Sequence, residues 1–187
     1  MRIDSPNWDI LYEVAENQGG YFTTAQAAEC GFSSPLLNKH LGRRIERARR
    51  GIYRLRHFPA HEQADLIIWW LWSEKEGIFS HATALVLHGL SDVLPNYATL
   101  KVPQRWGSRR VITPEGLELR YGDTESHDWI GVVPTTTVCE TLVDCFESPG
   151  LLPHAIAGWR DAKAKNLLSD DENVIVAKVR NSKVHGG

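Results

Sequence analysis

The 187-residue chain has few cysteines and no long apolar run, and each shortage excludes a class of protein. Cys30, Cys139 and Cys145 are odd in number and form no CxxC pair, so the sequence indicates neither a disulfide framework nor a zinc ribbon. We expect reduced, buried thiols. No apolar run approaches the roughly 18 residues that span a bilayer, and the N-terminus lacks a basic region followed by a hydrophobic one. These patterns predict a cytoplasmic protein that has no membrane partner.

Acidic and basic residues nearly balance, but their distribution is uneven. Between Lys39 and Arg56 the chain carries eight basic residues and one acid, Glu46. The basic residues are Lys39, Arg43, Arg44, Arg47, Arg49, Arg50, Arg54 and Arg56. Without this cluster, 13 of the 21 basic and 22 of the 23 acidic residues remain, a net charge of −9. The total of −2 therefore conceals a polarised protein, of which only one end should attract phosphate.

Turn and capping residues before the cluster predict two short helices. Ser5 can cap a first helix that opens at Pro6 and stops at Gly19-Gly20. Thr23 or Thr24 can cap an Ala-rich second helix that ends near Gly31. The spacing is typical of a helix-turn-helix.

The basic cluster itself predicts a third helix followed by a β-hairpin. Ser33 or Ser34 caps this helix, Pro35 opens it, and Leu37, Leu41 and Ile45 recur every four residues as a buried stripe. The opposite face carries Pro35, Lys39 and Arg43. IERAR and GIYRLRHF then flank a tight turn at Arg49-Arg50-Gly51, with Tyr53 and Leu55 facing inward and Ile52, Arg54 and Arg56 sharing the other face. This arrangement predicts a winged helix.

The rest of the chain predicts a second, mixed domain. Phe58-Pro59 marks the expected boundary, which gives a winged helix-turn-helix over 1–58 and a C-terminal α+β domain over 59–187. Helices are expected at 61–77, 79–92, 135–146 and 151–168, with strands between 98 and 133 that form a small antiparallel sheet. The central tryptophans are expected to pack in this domain. The tail from Asp170 is ambiguous between a last helix and a frayed end.

Three segments give the chain a family resemblance. GGYFTTAQAAECGFSSPLLNKHLGRRIERARRGIYRL resembles the N-terminal winged helix of AbiEi-type antitoxins, the regulators of type IV toxin-antitoxin and phage abortive-infection systems. IFSHATALVLHGLSDVLPNYATLKVP and VVPTTTVCETLVDC are similar to parts of that family's second domain. The resemblance covers roughly residues 5 to 146. It implies a DNA-binding autorepressor on operator repeats, whose second domain opposes a nucleotidyltransferase-like toxin, and it implies no enzymatic activity or cofactor.

The predicted DNA contacts follow from the helix and the hairpin. Lys39 and Arg43 are expected to face the major groove, Asn38 to pair with a base edge, and Arg49, Arg50 and Arg54 to meet backbone or minor groove. Ser33 and Ser34 could donate to phosphates, although capping alone would explain both, as it would for Thr23 and Thr24. The full set is Ser33, Ser34, Pro35, Asn38, Lys39, Arg43, Arg47, Arg49, Arg50 and Arg54. A solvated charged face is the simpler alternative.

Other candidate sites are weaker. Arg105, Arg109 and Arg110 are expected on a hairpin, as an exposed turn or as a contact for DNA or an acidic partner. The histidines lack the further ligands of a metal site, so none is predicted. Ser80-His81 lacks a G-x-S-x-G context, and no catalytic residue is predicted.

Two alternatives to the antitoxin remain open. Glu115, Glu118, Arg120 and Asp123 faintly resemble the acidic cluster of a nuclease, so one alternative is a DNA-processing enzyme that the winged helix targets. The other is a stand-alone transcriptional regulator without a toxin. Repeated half-sites would place two protomers on DNA, whatever the oligomeric state in solution.

Overall fold

The computed structural model describes residues 5–184, which form an α+β protein of two compact units divided between Lys75 and Glu76. The predicted α+β class is confirmed. The division lies beyond the predicted boundary at 58/59, because the first helix after Pro59 packs within the N-terminal unit.

The N-terminal unit contains four helices and a three-stranded antiparallel sheet of order β1-β3-β2. The helices are α1 (Trp8–Glu16), α2 (Thr24–Glu29), α3 (Ser34–His40) and α4 (Ala64–Trp72). The strands are β1 (Tyr21–Thr23), β2 (Ile45–Arg49) and β3 (Ile52–Leu55). Gly51, with φ +80°, takes the left-handed conformation that the turn between β2 and β3 requires. The predicted hairpin is therefore confirmed.

Side-chain caps begin the first two helices. The Asn7 side chain caps α1 by accepting from the backbone N–H groups of Asp9 (2.9 Å) and Ile10 (3.1 Å), so the predicted start at Ser5-Pro6 is wrong. Thr23 caps α2 in a reciprocal capping box with Gln26, as the sequence predicts.

The third helix is shorter than its apolar stripe predicts. α3 ends at His40, Leu41 takes extended backbone angles, and Gly42 turns the chain with φ +75°. Ile45 is fully buried, but from β2 rather than from the helix. The prediction that Leu37, Leu41 and Ile45 share one helix is wrong, because a chain that turns at Gly42 returns the apolar side chain to the same core.

Both faces of β3 are covered. Phe22, Leu37, Tyr53 and Leu55 join one buried cluster, which α1 and α2 also line. α4 packs against β1 and β3, and Ile52 is only 3% exposed. Tyr53 and Leu55 belong to the buried cluster and Ile52 does not, which agrees with the prediction that Ile52 lies on the opposite face of the strand.

The C-terminal unit combines a five-stranded sheet with helices. The strands are β4 (Ile78–Phe79), β5 (Ala98–Val102), β6 (Leu117–Tyr121), β7 (His127–Ile130) and β8 (Val133–Thr136). The α-helices are α5 (His81–Leu87), α6 (Val138–Glu147), α7 (Leu152–Ala164) and α8 (Asp170–Val184), and 3₁₀ turns occupy Gln104–Ser108 and Pro149–Leu151. The ambiguous tail is thus a helix over its described length.

The second sheet is mixed, in the order β6-β5-β4-β8-β7. β4 pairs with β5 and β7 with β8 in antiparallel fashion, but β5-β6 and β4-β8 are parallel. The predicted purely antiparallel sheet is therefore wrong. Parallel neighbours need a long crossover instead of a hairpin, and residues 103–116 provide it between β5 and β6.

The helices of this unit enclose a second core. α5 and α6 pack against the sheet, and α7 and α8 pack against α6. Leu85, Leu142, Phe146 and Val176 are buried among them. Trp106 is buried, but Trp129 is 56% exposed, so the expectation that the central tryptophans pack in this unit fails at Trp129. It also fails at Trp69, Trp70 and Trp72, because these residues lie on α4 of the N-terminal unit. No described helix is long and apolar enough to cross a bilayer.

Candidate nucleic-acid interface

The short helix α3 is anchored to α1 by aromatic contacts. The rings of Trp8 and His40 meet edge to face with centroids 4.9 Å apart, and Trp8 also contacts Phe32 at 4.6 Å. Leu37 is buried beneath the helix, whereas Asn38 and Lys39 are exposed on its surface. The helix is therefore held by one face and presents an amide and an ammonium group on another.

The hydroxyl groups at the start of α3 differ from those at the start of α2. Thr23 caps its helix, and the Thr24 hydroxyl donates to the carbonyl of Gly51 at 3.2 Å. Ser33 and Ser34 are exposed, and the Ser33 side chain makes no capping hydrogen bond. Pro35 follows as an exposed residue in the first turn. The capping explanation is confirmed for Thr23 but not for Ser33.

Two arginines lie in the turn after α3, in a segment for which the apolar stripe predicts a helix. The backbone N–H groups of Arg43 and Arg44 both donate to the carbonyl of His40 at 3.1 Å. The Arg43 side chain is exposed, and the Arg44 guanidinium lies 4.8 Å from the ring centroid of Trp8. Arg43 therefore does not share a helix face with Lys39, and the predicted helical placement is wrong because Gly42 ends the helical path.

The hairpin carries exposed arginines on β2 and at its tip. Arg47 is exposed, with its guanidinium 5.7 Å from the Tyr53 ring centroid. Arg49 ends β2 and is half-buried, and Arg50 is exposed in the turn. Arg56 pairs with the one acid of the cluster, Glu46, at 3.6 Å.

Arg54 has a different environment from the other candidates. It is half-buried on β3, its guanidinium donates to the carbonyl of Phe58, and it lies 5.9 Å from the Tyr21 ring centroid. Its Nε atom is buried and without a hydrogen-bond partner in the described part of the chain. Burial raises the pKa of the Tyr21 phenol, and the charge of Arg54 opposes this shift. Arg54 is thus bound into the unit rather than presented to solvent.

Four of the cations lack internal partners. Across residues 5–184, Lys39, Arg43, Arg49 and Arg50 make no hydrogen bond or ion pair with other side chains. Their charges lie on α3, on the turn after it and at the hairpin tip. One guanidinium group can bind two phosphate oxygens through parallel hydrogen bonds, whereas an ammonium group acts as a point charge. The arrangement is chemically suited to a polyanion.

The second basic patch lies in the C-terminal unit and is partly occupied. The guanidinium of Arg105 and the indole N–H of Trp106 both donate to Glu76, at 2.7 and 2.8 Å. Arg109 lies 4.3 Å from the Trp106 ring centroid, and Arg110 is exposed. Residues 104–108 form a 3₁₀ turn that leads into irregular chain. The predicted hairpin is therefore wrong, because β5 and β6 are parallel and cannot be joined by a hairpin.

The remaining sequence candidates have structural partners. His88 Nε2 lies 2.7 Å from the carbonyl oxygen of Thr136, and Glu118 pairs with Arg120 at 2.9 Å. Within residues 5–184, no three His, Cys, Asp or Glu side chains are grouped as metal ligands. Sequence reasoning missed a cluster around His81 in which Lys101 contacts Glu140 and Asp144; the Ser80-His81 pair was the only available signal.

The N-terminal unit is therefore a small α+β unit with a cationic surface formed by α3, its following turn and the hairpin. Residues 9–56 match a family model described as "Transcriptional regulator, AbiEi antitoxin". This match confirms the resemblance over residues 9–56 of the N-terminal unit. It ends before the C-terminal unit, so the resemblance of residues 78–146 to the family's second domain stays a prediction. No curated protein matches the chain.

Proposed function

We propose that the N-terminal unit is a winged helix-turn-helix that binds double-stranded DNA in a sequence-specific manner. The observation that carries the proposal is that the side chains of Lys39, Arg43, Arg49 and Arg50, on α3, its following turn and the hairpin, have no partner within residues 5–184. α3 would read bases through Asn38 and Lys39, and the hairpin would contact backbone or minor groove. Ser33 and Ser34 would contact phosphate, beside Pro35. Arg47 would add charge from β2, whereas Arg54 is bound into the unit and leaves the predicted set of contacts.

Specificity and affinity can be separated by substitution. Fluorescence anisotropy would compare DNA from upstream of the protein's own gene with a scrambled duplex of equal length. Asn38→Ala or Lys39→Ala should reduce discrimination between the two by about 1 to 3 kcal/mol, because a base contact is lost. Arg50→Ala should weaken binding to both duplexes alike. If Lys39→Ala and Arg50→Ala behave identically, α3 does not read bases.

We also propose that the protein is a transcriptional autorepressor and the antitoxin of a type IV toxin-antitoxin system, without enzymatic activity of its own. The family description of residues 9–56 supports this proposal. The protein would neutralise a nucleotidyltransferase-like toxin directly or indirectly. Two protomers would bind the operator repeats, one on each half-site.

Repression and neutralisation need separate measurements. A promoter reporter should show repression by the wild-type chain and its loss in a Lys39→Ala/Arg43→Ala variant. The wild type and the Lys39→Ala/Arg43→Ala variant would each be co-expressed with the product of a downstream nucleotidyltransferase-like gene. Both should restore growth if neutralisation depends on the C-terminal unit. Charge reversal at Arg109 and Arg110 tests that surface: neutralisation should fall if it contacts the toxin, and neither readout should change if it is only an exposed loop.

A further inference from the structure

The C-terminal unit contains an open cavity of about 520 Å³ next to a buried group of charged side chains. This volume lies within the range of ordinary small-molecule sites. Its walls include His81, Tyr97, Glu118, Arg120 and Glu147. The proposed DNA-binding function uses none of these residues.

Charged side chains surround His81, which lines the cavity. The Lys101 ammonium lies 2.9 Å from both Glu140 and Asp144, and its side chain is 13% exposed. Asp144 lies 3.8 Å from His81 Nδ1 on its other side. His81 itself has φ +54°, a conformation that costs a non-glycine residue free energy and is concentrated at functional sites. Packing against the cluster fixes this side chain at the cavity wall.

The charges around the cavity favour a cation. Among the charged side chains that line the cavity, Arg120 contributes one positive charge against the carboxylates of Glu118 and Glu147, a formal net charge of −1 with His81 neutral. Lys101 and Arg120 are each paired with a carboxylate, but Glu147 makes no hydrogen bond or ion pair within the described chain. An anion would meet this free carboxylate, whereas an ammonium or guanidinium group would pair with it.

Two further groups suit an organic cation. The Tyr97 ring lines the cavity and is 57% exposed, and an aromatic face attracts ammonium and guanidinium groups. The Ser80 hydroxyl lies 3.0 Å from His81 Nδ1 and occupies that ring nitrogen. Leu94 and Pro95 add an apolar wall for the carbon skeleton.

We propose that this cavity binds an organic cation, an alkyl ammonium or guanidinium group, between the Glu147 carboxylate and the Tyr97 ring. Such a group occurs on a free small molecule and on a lysine or arginine side chain of a protein partner. The inference is independent of DNA binding, because every residue that it uses lies in the C-terminal unit.

Binding of butylguanidinium to the full chain, followed by ¹H–¹⁵N NMR, tests the proposal. Saturable shifts should appear at residues around the cavity, while n-butanol and butyrate, which carry a similar alkyl chain without the positive charge, should produce none. Glu147→Gln should raise the Kd about tenfold, as expected when a charge-assisted hydrogen bond is weakened. Glu125→Gln, which neutralises an exposed carboxylate outside the cavity, should change the Kd less than twofold.

A second arm uses the peptide acetyl-Gly-Arg-Gly-amide to separate the two sources of the cation. Tighter binding of the peptide than of butylguanidinium supports a partner's side chain, and binding of butylguanidinium alone supports a small molecule. Absence of saturable binding by either probe up to about 10 mM overturns the proposal, as does equal binding of n-butanol. Glu147 is exposed, so its substitution should leave the fold intact, which circular dichroism verifies.

Discussion

At the scale of single residues, an arginine's environment distinguishes a structural role from a binding role. Arg50 is exposed at the hairpin tip, whereas the guanidinium of Arg54 donates to the Phe58 carbonyl and lies over Tyr21. The sequence alone presents both as members of one basic run, because spacing along a strand does not reveal that α4 and the chain near Phe58 cover one side of β3.

Arg54→Ala and Arg50→Ala should therefore have opposite signatures. Loss of the buried Arg54 interactions should lower the free energy of unfolding by about 1 to 3 kcal/mol in urea titrations. Arg50→Ala should leave unfolding within about 0.5 kcal/mol of wild type and weaken DNA binding instead. The assignment fails if Arg54→Ala weakens DNA binding without loss of stability.

His81 gives the C-terminal unit a pH-dependent stability. Burial, followed by the positive charges of Arg120 and Lys101, lowers the pKa of His81 to about 4. An unfolded histidine titrates near pH 6.5. As the pH falls from about 6.5 to 4, the unfolded chain binds a proton that the folded chain does not, so the His81 contribution to stability declines.

His81→Asn isolates this effect, because asparagine does not titrate and tolerates the left-handed conformation at this position. Urea midpoints at pH 7 and pH 4.5 should differ more for wild type than for His81→Asn. An NMR titration of the wild-type imidazole provides the direct check, and a pKa near 6.5 in the folded protein contradicts the account.

At the scale of secondary-structure elements, turns were predicted more successfully than the starts and ends of helices. The Thr23 cap and the Gly51 turn follow from local hydrogen bonding and backbone preference, so the sequence indicates them. Ser33 and Ser80, in contrast, make no side-chain capping hydrogen bond. The end of α3 depends on Gly42, and the parallel pairing of β5 with β6 depends on contacts between distant segments. Neither leaves a periodic pattern that local analysis can detect.

The Thr23 cap should contribute measurably to the N-terminal unit. Thr23→Ala removes the hydroxyl that accepts from the Gln26 backbone N–H and should cost about 1 kcal/mol of unfolding free energy. Thr23→Ser retains the acceptor and is the matched control. Equal losses for the two variants in urea titrations would show that the methyl group, and not the cap, stabilises α2.

At the scale of the whole molecule, the protein separates its charge into a cationic N-terminal surface and an otherwise acidic remainder. The basic cluster was evident from the sequence, but the structure divides it into cations that are free, stacked, paired or bound into the core. Lys39, Arg43, Arg49 and Arg50 have no side-chain partner in the described part of the chain, and Arg44 and Arg47 contact aromatic rings. The cavity near His81 could not be predicted, because Lys101, Asp144 and Tyr97 come together only through the fold.

The dependence of DNA affinity on salt tests the central proposal most directly. If these six side chains neutralise about six phosphates, log K against log salt concentration should have a slope near −5, from roughly −0.9 per phosphate. Replacing Lys39, Arg43, Arg49 and Arg50 with alanine should reduce the slope to about −2. A triple variant that replaces Arg43, Arg49 and Arg50 with lysine keeps the charges and should retain the wild-type slope. A slope near zero for the wild type, or one that the alanine substitutions leave unchanged, would contradict DNA binding through this surface.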